Sequence, residues 1–352
     1  MPAGSGGGLH LILGRHGRWT AAVLVMALAA GACSGSTQAT PAVGGSGTVL
    51  VAPPATEFAA PSSTDSGAAA TTAAQTPTLN PTPSPTAASG IPAFSHIYVI
   101  IMENKEYGSI VGASAAPYLN SLIGRYGLTT NFYAETHPSE PNYIALTSGG
   151  LQGTNSDGTY NLAVPSLFDQ IEASGRSWHV YAQGYPGGCF KTYISPAVVD
   201  GPGAAGDYVR KHNPAMSYTS ISGNPTRCAN ITHLSGFAPA AADFEMFIPN
   251  EINDMHSSSV AAGDAFLKAF VPQIVDSQAF VGSVVFITWD EGDSNLQGGG
   301  HIATLVLSPG MTPGARFSGP CTHYSMLRTI EDAWGLPLLG EAGTASPIAL
   351  PY

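Results

Sequence analysis

Four short runs constrain the fold of this 352-residue sequence more than any other feature: His96-Ile97-Tyr98-Val99-Ile100-Ile101-Met102, Phe244-Glu245-Met246-Phe247-Ile248-Pro249, Ser283-Val284-Val285-Phe286-Ile287-Thr288-Trp289 and Ala303-Thr304-Leu305-Val306-Leu307-Ser308. A half-exposed strand alternates apolar and polar residues, whereas these runs stay largely apolar at consecutive positions. They are expected to be strands buried on both faces, the pattern of a parallel sheet covered by helices on either side. Helix-like stretches lie between them: residues 166–175, with Gly175 as the stop signal, residues 261–275 and residues 325–334. The expected class is therefore α/β, with a mainly parallel central sheet in a three-layer α/β/α arrangement.

Only residues from about 91 onward belong to that domain. Charged residues make up 10% of the chain and the formal charge is −11, yet residues 1–90 hold only Arg15, Arg18, Glu57 and Asp65 and sum to zero. Arg15 and Arg18 precede an apolar run, Ala21 to Ala30, too short to span a membrane and suited to a secretory leader. The small residues leading into Cys33 are similar to a lipoprotein cleavage site, without the usual Leu three residues before the cysteine. Residues 1–33 are thus read as a signal peptide, with either lipidation at Cys33 or ordinary cleavage nearby. Residues 34–90, rich in Ala, Thr, Ser and Pro, bury too little apolar surface to offset ordering entropy and are expected to form a disordered tether.

The acidic balance of residues 91–352 argues against nucleic acid as a partner, since backbone binding needs a basic footprint. Cys189, Cys228 and Cys321 allow at most one disulfide once Cys33 is set aside, and Cys189–Cys228 is the expected pair in an oxidising compartment. No zinc-type cysteine spacing, G-x-S-x-G elbow or phosphate-binding P-loop occurs in the domain.

In doubly wound sheets, ligands bind beyond the carboxyl ends of the strands. Glu103-Asn104, Asn250 to His256 and Asp290-Glu291 follow three of the expected strands. Carboxylates gathered on one sheet edge repel unless a cation or protons lie between them. The segment from Thr136 to Gly149 reads as a loop entering a helix, with Ser139 as N-cap and Pro141 in the first turn. Ser139 either caps that helix and nothing more, or uses the positive helix end to carry a phosphoryl group.

Glu103-Asn104, His137-Pro138-Ser139-Glu140-Pro141-Asn142-Tyr143, Arg210-Lys211-His212-Asn213-Pro214, Asn253-Asp254-Met255-His256, Trp289-Asp290-Glu291 and His323-Tyr324-Ser325 stand in this order along the chain. In this the chain resembles the bacterial phosphoesterase family, which includes acid phosphatases and phospholipase C enzymes and belongs to the alkaline-phosphatase-like superfamily. Its motif forms are most similar to small secreted acid phosphatases acting on phosphatidylinositol 3-phosphate. The resemblance implies an alkaline-phosphatase-like fold and a phosphorylated nucleophile at Ser139. It implies one divalent ion, of the Ca, Mg or Mn type, on Glu103, Asn104, Asp290 and Glu291, with metal-independent phosphate binding by the histidine cluster as the alternative. His137, Asn142 and His212 would contact phosphate, while His256 and His323 would handle protons. His256 is the preferred acid, with Asp254 placed to orient it.

The expected activity is that of an exported acid phosphatase acting as a monomer on phosphomonoesters, phosphoinositide headgroups among them. Membrane contact would come only through lipidation at Cys33. A phospholipase C-like diesterase is the alternative within enzymes, and a non-catalytic surface-anchored lipoprotein the alternative outside them. His301, after three glycines, is read as a surface residue, and His96, His179 and His233 as structural.

Overall fold

The computed structural model describes residues 90–192, 194–195 and 208–350. The leader, the lipidation site at Cys33 and all but the last residue of the tether at residues 34–90 lie outside the described residues.

Eight strands form one sheet: β1 (Ile97–Met102), β2 (Gly127–Tyr133), β3 (Trp178–Ala182), β4 (Ile231–Thr232), β5 (Phe244–Ile248), β6 (Val284–Trp289), β7 (His301–Leu307) and β8 (Ala315–Phe317), in the order β8-β2-β7-β6-β1-β5-β3-β4. All run parallel except β7, which pairs antiparallel with both β2 and β6. All four runs read from the sequence are strands. Only the direction of the last was not legible, because unbroken hydrophobicity reports burial on two faces and not polarity. Successive residues of β1 point to opposite faces, yet every one is at most 2% exposed, so both faces of the sheet are covered. The expected mainly parallel α/β architecture is what the chain adopts.

The covering helices are α1 (Pro117–Arg125), α2 (Ser139–Ser148), α3 (Leu167–Ala173), α4 (Val260–Phe270) and α5 (His323–Trp334), joined by several shorter turns. Helix α1 packs against α4, and α2 against α5. Ser166 caps α3 in a capping box with Asp169, and Gly175 follows it at φ +81°, where a Cβ would be strained. Thr322 caps α5 by accepting from Tyr324 N, so the helix begins at His323, two residues earlier than the sequence suggested. The helix expected over residues 261–275 ends at Phe270, and Pro272 opens a separate short turn (Pro272–Val275).

Cys189 and Cys228 form the expected disulfide and Cys321 is a buried free thiol. His301 corrects the surface reading: its ring lies between Tyr107 and Tyr133, with centroids 4.2 and 4.9 Å away.

Glu245, inside β5, is buried, and of its two oxygens only Oε1 is bonded, to the Ala242 amide at 3.0 Å. Burial pushes its carboxyl from the ordinary 4.5 to about 7. The unfolded chain ionises this group near 4.5 and the folded chain only near 7, so stability is highest below that window and falls as pH rises through it. The loss is about 3 kcal/mol at one pKa unit per 1.36 kcal/mol. Glu245→Gln is expected to remove this part of the slope, measured as the wild-type-minus-variant difference in urea midpoint between pH 4.5 and pH 7.5. An unchanged difference would mean the carboxyl is not held protonated.

Candidate active site

Register places three strand ends together. Strands β1 and β6 pair through Met102 and Trp289, and the Asp290 amide donates to Met102 O at 3.0 Å, so Glu103 and Asp290 leave the sheet side by side. The Glu103 amide donates to Asp254 O at 2.8 Å, which ties in the loop that follows β5. Asn104 turns at φ +44°, a left-handed conformation that Asn tolerates. Its amide then donates to Asp290 Oδ1 at 3.0 Å and its Nδ2 to Glu291 Oε1 at 2.9 Å. Glu103, Asn104, Asp290 and Glu291, far apart in the chain, thus stand in one bonded group.

Ser139 is the first residue of α2, not its cap. Pro138 holds the cap position, and the Ser139 hydroxyl makes no bond to a helix amide. It donates instead to Glu103 Oε2 at 3.1 Å. The other Glu103 oxygen accepts from Tyr143 OH, one helical turn further along α2. His212 Nε2 lies 3.2 Å from Glu103 Oε2, and His212 Nδ1 lies 3.4 Å from Asp254 Oδ2. A chain of four side chains, Ser139, Glu103, His212 and Asp254, none more than 1% exposed, runs inward from the serine.

Burial dominates the electrostatics here. It raises the Glu103 carboxyl well above its ordinary value, with Asp290 and Asp254 adding repulsion, and raises Asp254 in the same way. Asp290 is raised by burial, and Glu291 is pushed up to about 9 by burial and by Asp290 and Asp157. Each of the four carboxyls therefore favours a proton, or another cation in its place. The His212 ring shifts the opposite way, held neutral by burial and by Lys211 and His256.

The remaining predicted residues divide. His137 Nδ1 lies 2.9 Å from Glu291 Oε2 and its Nε2 2.9 Å from Ser294 O, so it adjoins the carboxylate group at the rim. The Asn142 carboxamide bonds the loop backbone on both sides. Its Oδ1 accepts from the Glu135 and Thr136 amides at 3.0 and 3.1 Å, while its Nδ2 donates to Thr136 O and Pro138 O. Those four bonds fix the loop before Ser139 and engage both polar atoms that the sequence reading assigned to phosphate. His323 Nε2 donates to the Asp290 carbonyl at 2.7 Å, while its Nδ1 is buried without a partner. His256 reaches the same edge, with Nε2 3.5 Å from Lys211 Nζ.

Sequence reasoning missed Tyr143 as a partner of Glu103, although its spacing of four from Ser139 puts both on one helical face. It also missed Asp157, which accepts from the Glu140 amide at 3.1 Å and pairs with Lys211 Nζ at 2.9 Å. No local pattern marks Asp157, which sits in a loop and reaches the site only through tertiary folding.

Among the described residues, no three His, Cys, Asp or Glu side chains meet in a ready coordination shell. Two oxygens of the predicted ligand set, Asn104 Oδ1 and Asp290 Oδ2, are nevertheless buried without hydrogen-bond partners. Three carboxylates and a carboxamide with two orphaned oxygens are the donor chemistry of a hard divalent cation, so the residues fit such an ion.

Fold and site together define an α/β domain with a serine hydroxyl set against buried carboxyls at the carboxyl edge of its sheet. The sequence matches the Phosphoesterase family over residues 113–337, and the chain belongs to that family. It is 32% identical over 269 residues to a phosphatidylinositol-3-phosphatase of Mycobacterium tuberculosis, spanning 74% of this chain and 84% of that protein. It is 29% identical to an acid phosphatase of Aspergillus fumigatus, over 71% of this chain and 57% of the relative's own length. Among solved structures, a protein in the alkaline phosphatase superfamily from Vibrio parahaemolyticus superposes with a TM-score of 0.46 at 12% identity, covering 76% of this chain and 72% of that one. The lipoteichoic acid synthase LtaP from Listeria monocytogenes gives a TM-score of 0.49 at 10% identity, with 76% and 77% covered.

Proposed function

We propose that this chain is an exported acid phosphatase that hydrolyses phosphomonoesters through a phosphoserine intermediate at Ser139. The observation that carries the reading is the Ser139 hydroxyl, which turns away from its own helix amides to bond Glu103 at 3.1 Å within a group of buried carboxyls. A hydroxyl serving only as a cap would bond the helix. Family membership and the names of the two relatives support phosphomonoesters, with a phosphoinositide headgroup among the substrates. Export is supported by the apolar run after Arg15 and Arg18.

In this reading, Ser139 Oγ attacks phosphorus as the bond to the leaving oxygen breaks, and the hydroxyl proton passes to Glu103 Oε2, the carboxyl acting in its ionised form, with both oxygens accepting from Ser139 and Tyr143. His256, doubly protonated when substrate binds, gives its Nε2 proton to the departing alkoxide and is left neutral with its remaining proton on Nδ1. Water then attacks the phosphoseryl group, its proton returns to His256 Nε2, the Oγ–P bond breaks and Oγ recovers its proton from Glu103. Lys211 and His137 border the space where phosphoryl oxygens would sit. Glu103, Asn104, Asp290 and Glu291 would hold a divalent cation, which when bound offsets their charge and polarises the phosphoryl oxygens.

Phosphate release from p-nitrophenyl phosphate and phosphatidylinositol 3-phosphate, beside bis-p-nitrophenyl phosphate as a diester, tests the reading. Monoester turnover is expected to exceed diester turnover by about tenfold or more, a difference of about 1.4 kcal/mol in barrier. Preference for the diester would assign a phospholipase C-like reaction, and inertness towards all three a binding role.

A further inference from the structure

The loop after β5 holds a second side-chain relay, separate from the buried chain behind Ser139. Sequence spacing suggests that Asp254 orients His256, two residues on. The structure assigns Asp254 elsewhere: its Oδ1 accepts the His256 backbone amide at 2.7 Å, and its Oδ2 lies 3.4 Å from the His212 ring. The groups that meet the His256 ring are Ser257, whose Oγ is 3.0 Å from Nδ1, and Glu251, whose Oε1 is 3.8 Å from Nδ1. Ser257 Oγ donates to Glu251 Oε2 at 3.4 Å, and the Ser257 amide donates to Glu251 O at 2.8 Å, which closes the loop on itself.

We propose that Glu251, acting through Ser257, is a positioning residue that holds His256 with its proton on Nδ1 and presents Nε2 to the substrate. Because the Ser257 hydroxyl proton goes to Glu251, its oxygen is left to accept from Nδ1–H, and the lone pair of the neutral ring then falls on Nε2. That atom faces Lys211 Nζ at 3.5 Å, on the site side of the ring.

The backbone supports a built arrangement. Met255, between Asp254 and His256, is fully buried at φ +85°, a conformation rare for a long side chain. Asn250 Oδ1 accepts from the Ile252 and Asn253 amides and holds the start of the loop. Such strain persists only where the surroundings over-determine it, and its effect here is to send Asp254 inward and His256 to the rim.

The charged and titratable groups around the ring are Glu251 on its own loop, Lys211 and His212 from the segment after Val209, Asp157 from the loop after α2, and Asp290 after β6. Burial and Lys211 lower the His256 pKa below its ordinary 6.5, and Glu251 opposes them. Removing the Glu251 charge is therefore expected to lower it further.

The inference rests on the phosphatase reading for its catalytic consequence, but the ring itself can be read independently. Imidazole ¹⁵N spectra of the full chain across pH, and kcat and KM for p-nitrophenyl phosphate, are to be recorded for wild type, Glu251→Gln, Glu251→Asp and Ser257→Ala. Wild type is expected to show the Nδ1–H tautomer. Glu251→Gln and Ser257→Ala should mix the tautomers, and Glu251→Gln should also lower the His256 midpoint and reduce kcat about tenfold with KM within about twofold. Glu251→Asp should restore part of kcat. Ser257→Ala keeps the backbone bond to Glu251 O, so it reports even if Glu251 variants do not fold. An unchanged tautomer and midpoint in Glu251→Gln or Ser257→Ala would overturn the proposal. Activity surviving in Ser139→Ala would overturn the phosphatase mechanism alone, since the tautomer measurement does not depend on turnover.

Discussion

Ser139→Ala is expected to lower kcat for phosphomonoesters by about 10³-fold or more while the protein stays folded, because it removes the atom that forms the covalent bond. The variant should fold because Ser139 makes no capping bond to lose, and the Asn142 carboxamide and Pro138 hold the loop before it. The hydroxyl's bond to Glu103 is lost, but Glu103 keeps Tyr143 as a donor. Rapid quenching of wild type at acid pH should give a peptide containing Ser139 heavier by one phosphoryl group, and the variant none. A variant that retains most of its turnover would move the nucleophile elsewhere, to a water molecule first of all.

The sheet was legible in the sequence because its four central strands are buried on both faces and lack alternation. Strands β2 and β3 were not, since Gly127-Leu128-Thr129-Thr130-Asn131-Phe132-Tyr133 and Trp178-His179-Val180-Tyr181-Ala182 mix polar and apolar residues and lie nearer the sheet margins. At the site, Glu103, Asp290 and the loop after β5 could be placed on one edge from strand ends alone. What the sequence could not supply was pairing across that edge. Asp254 lies two residues from His256 and was assigned to it, yet the positive φ of Met255 turns the two side chains apart, towards His212 and Lys211 respectively. The resemblance makes Asn142 a substrate contact, but the loop before α2 needs an acceptor for two amides and Asn142 Oδ1 serves both. A motif names residue types; whether a side chain faces substrate or its own backbone is decided by the turns between them.

Removing divalent ions is expected to cost both activity and stability. Glu103, Asp254, Asp290 and Glu291 crowd one edge with carboxyls raised by burial, and Lys211 supplies one ammonium against them, so a proton or a cation must hold the group together. At acid pH protons can do this. The Glu291 carboxyl, near 9 when folded against an ordinary 4.5, contributes stability that is full below 4.5 and declines as pH rises towards 9, and a bound cation would restore it in that range. EDTA should therefore lower kcat/KM by roughly a hundredfold, about 2.7 kcal/mol of lost charge stabilisation. Adding Mg²⁺, Mn²⁺ or Ca²⁺ at 100 times its Kd should raise unfolding free energy by about 2.7 kcal/mol. The thermal shift on adding the ion should be larger at pH 8 than at pH 5, because protons compete for the same oxygens, and Asp290→Asn should reduce it. Full activity in EDTA, with a melting temperature indifferent to all three ions at both pH values, would show that protons and Lys211 balance the carboxyls by themselves and that Ser139 works without a metal.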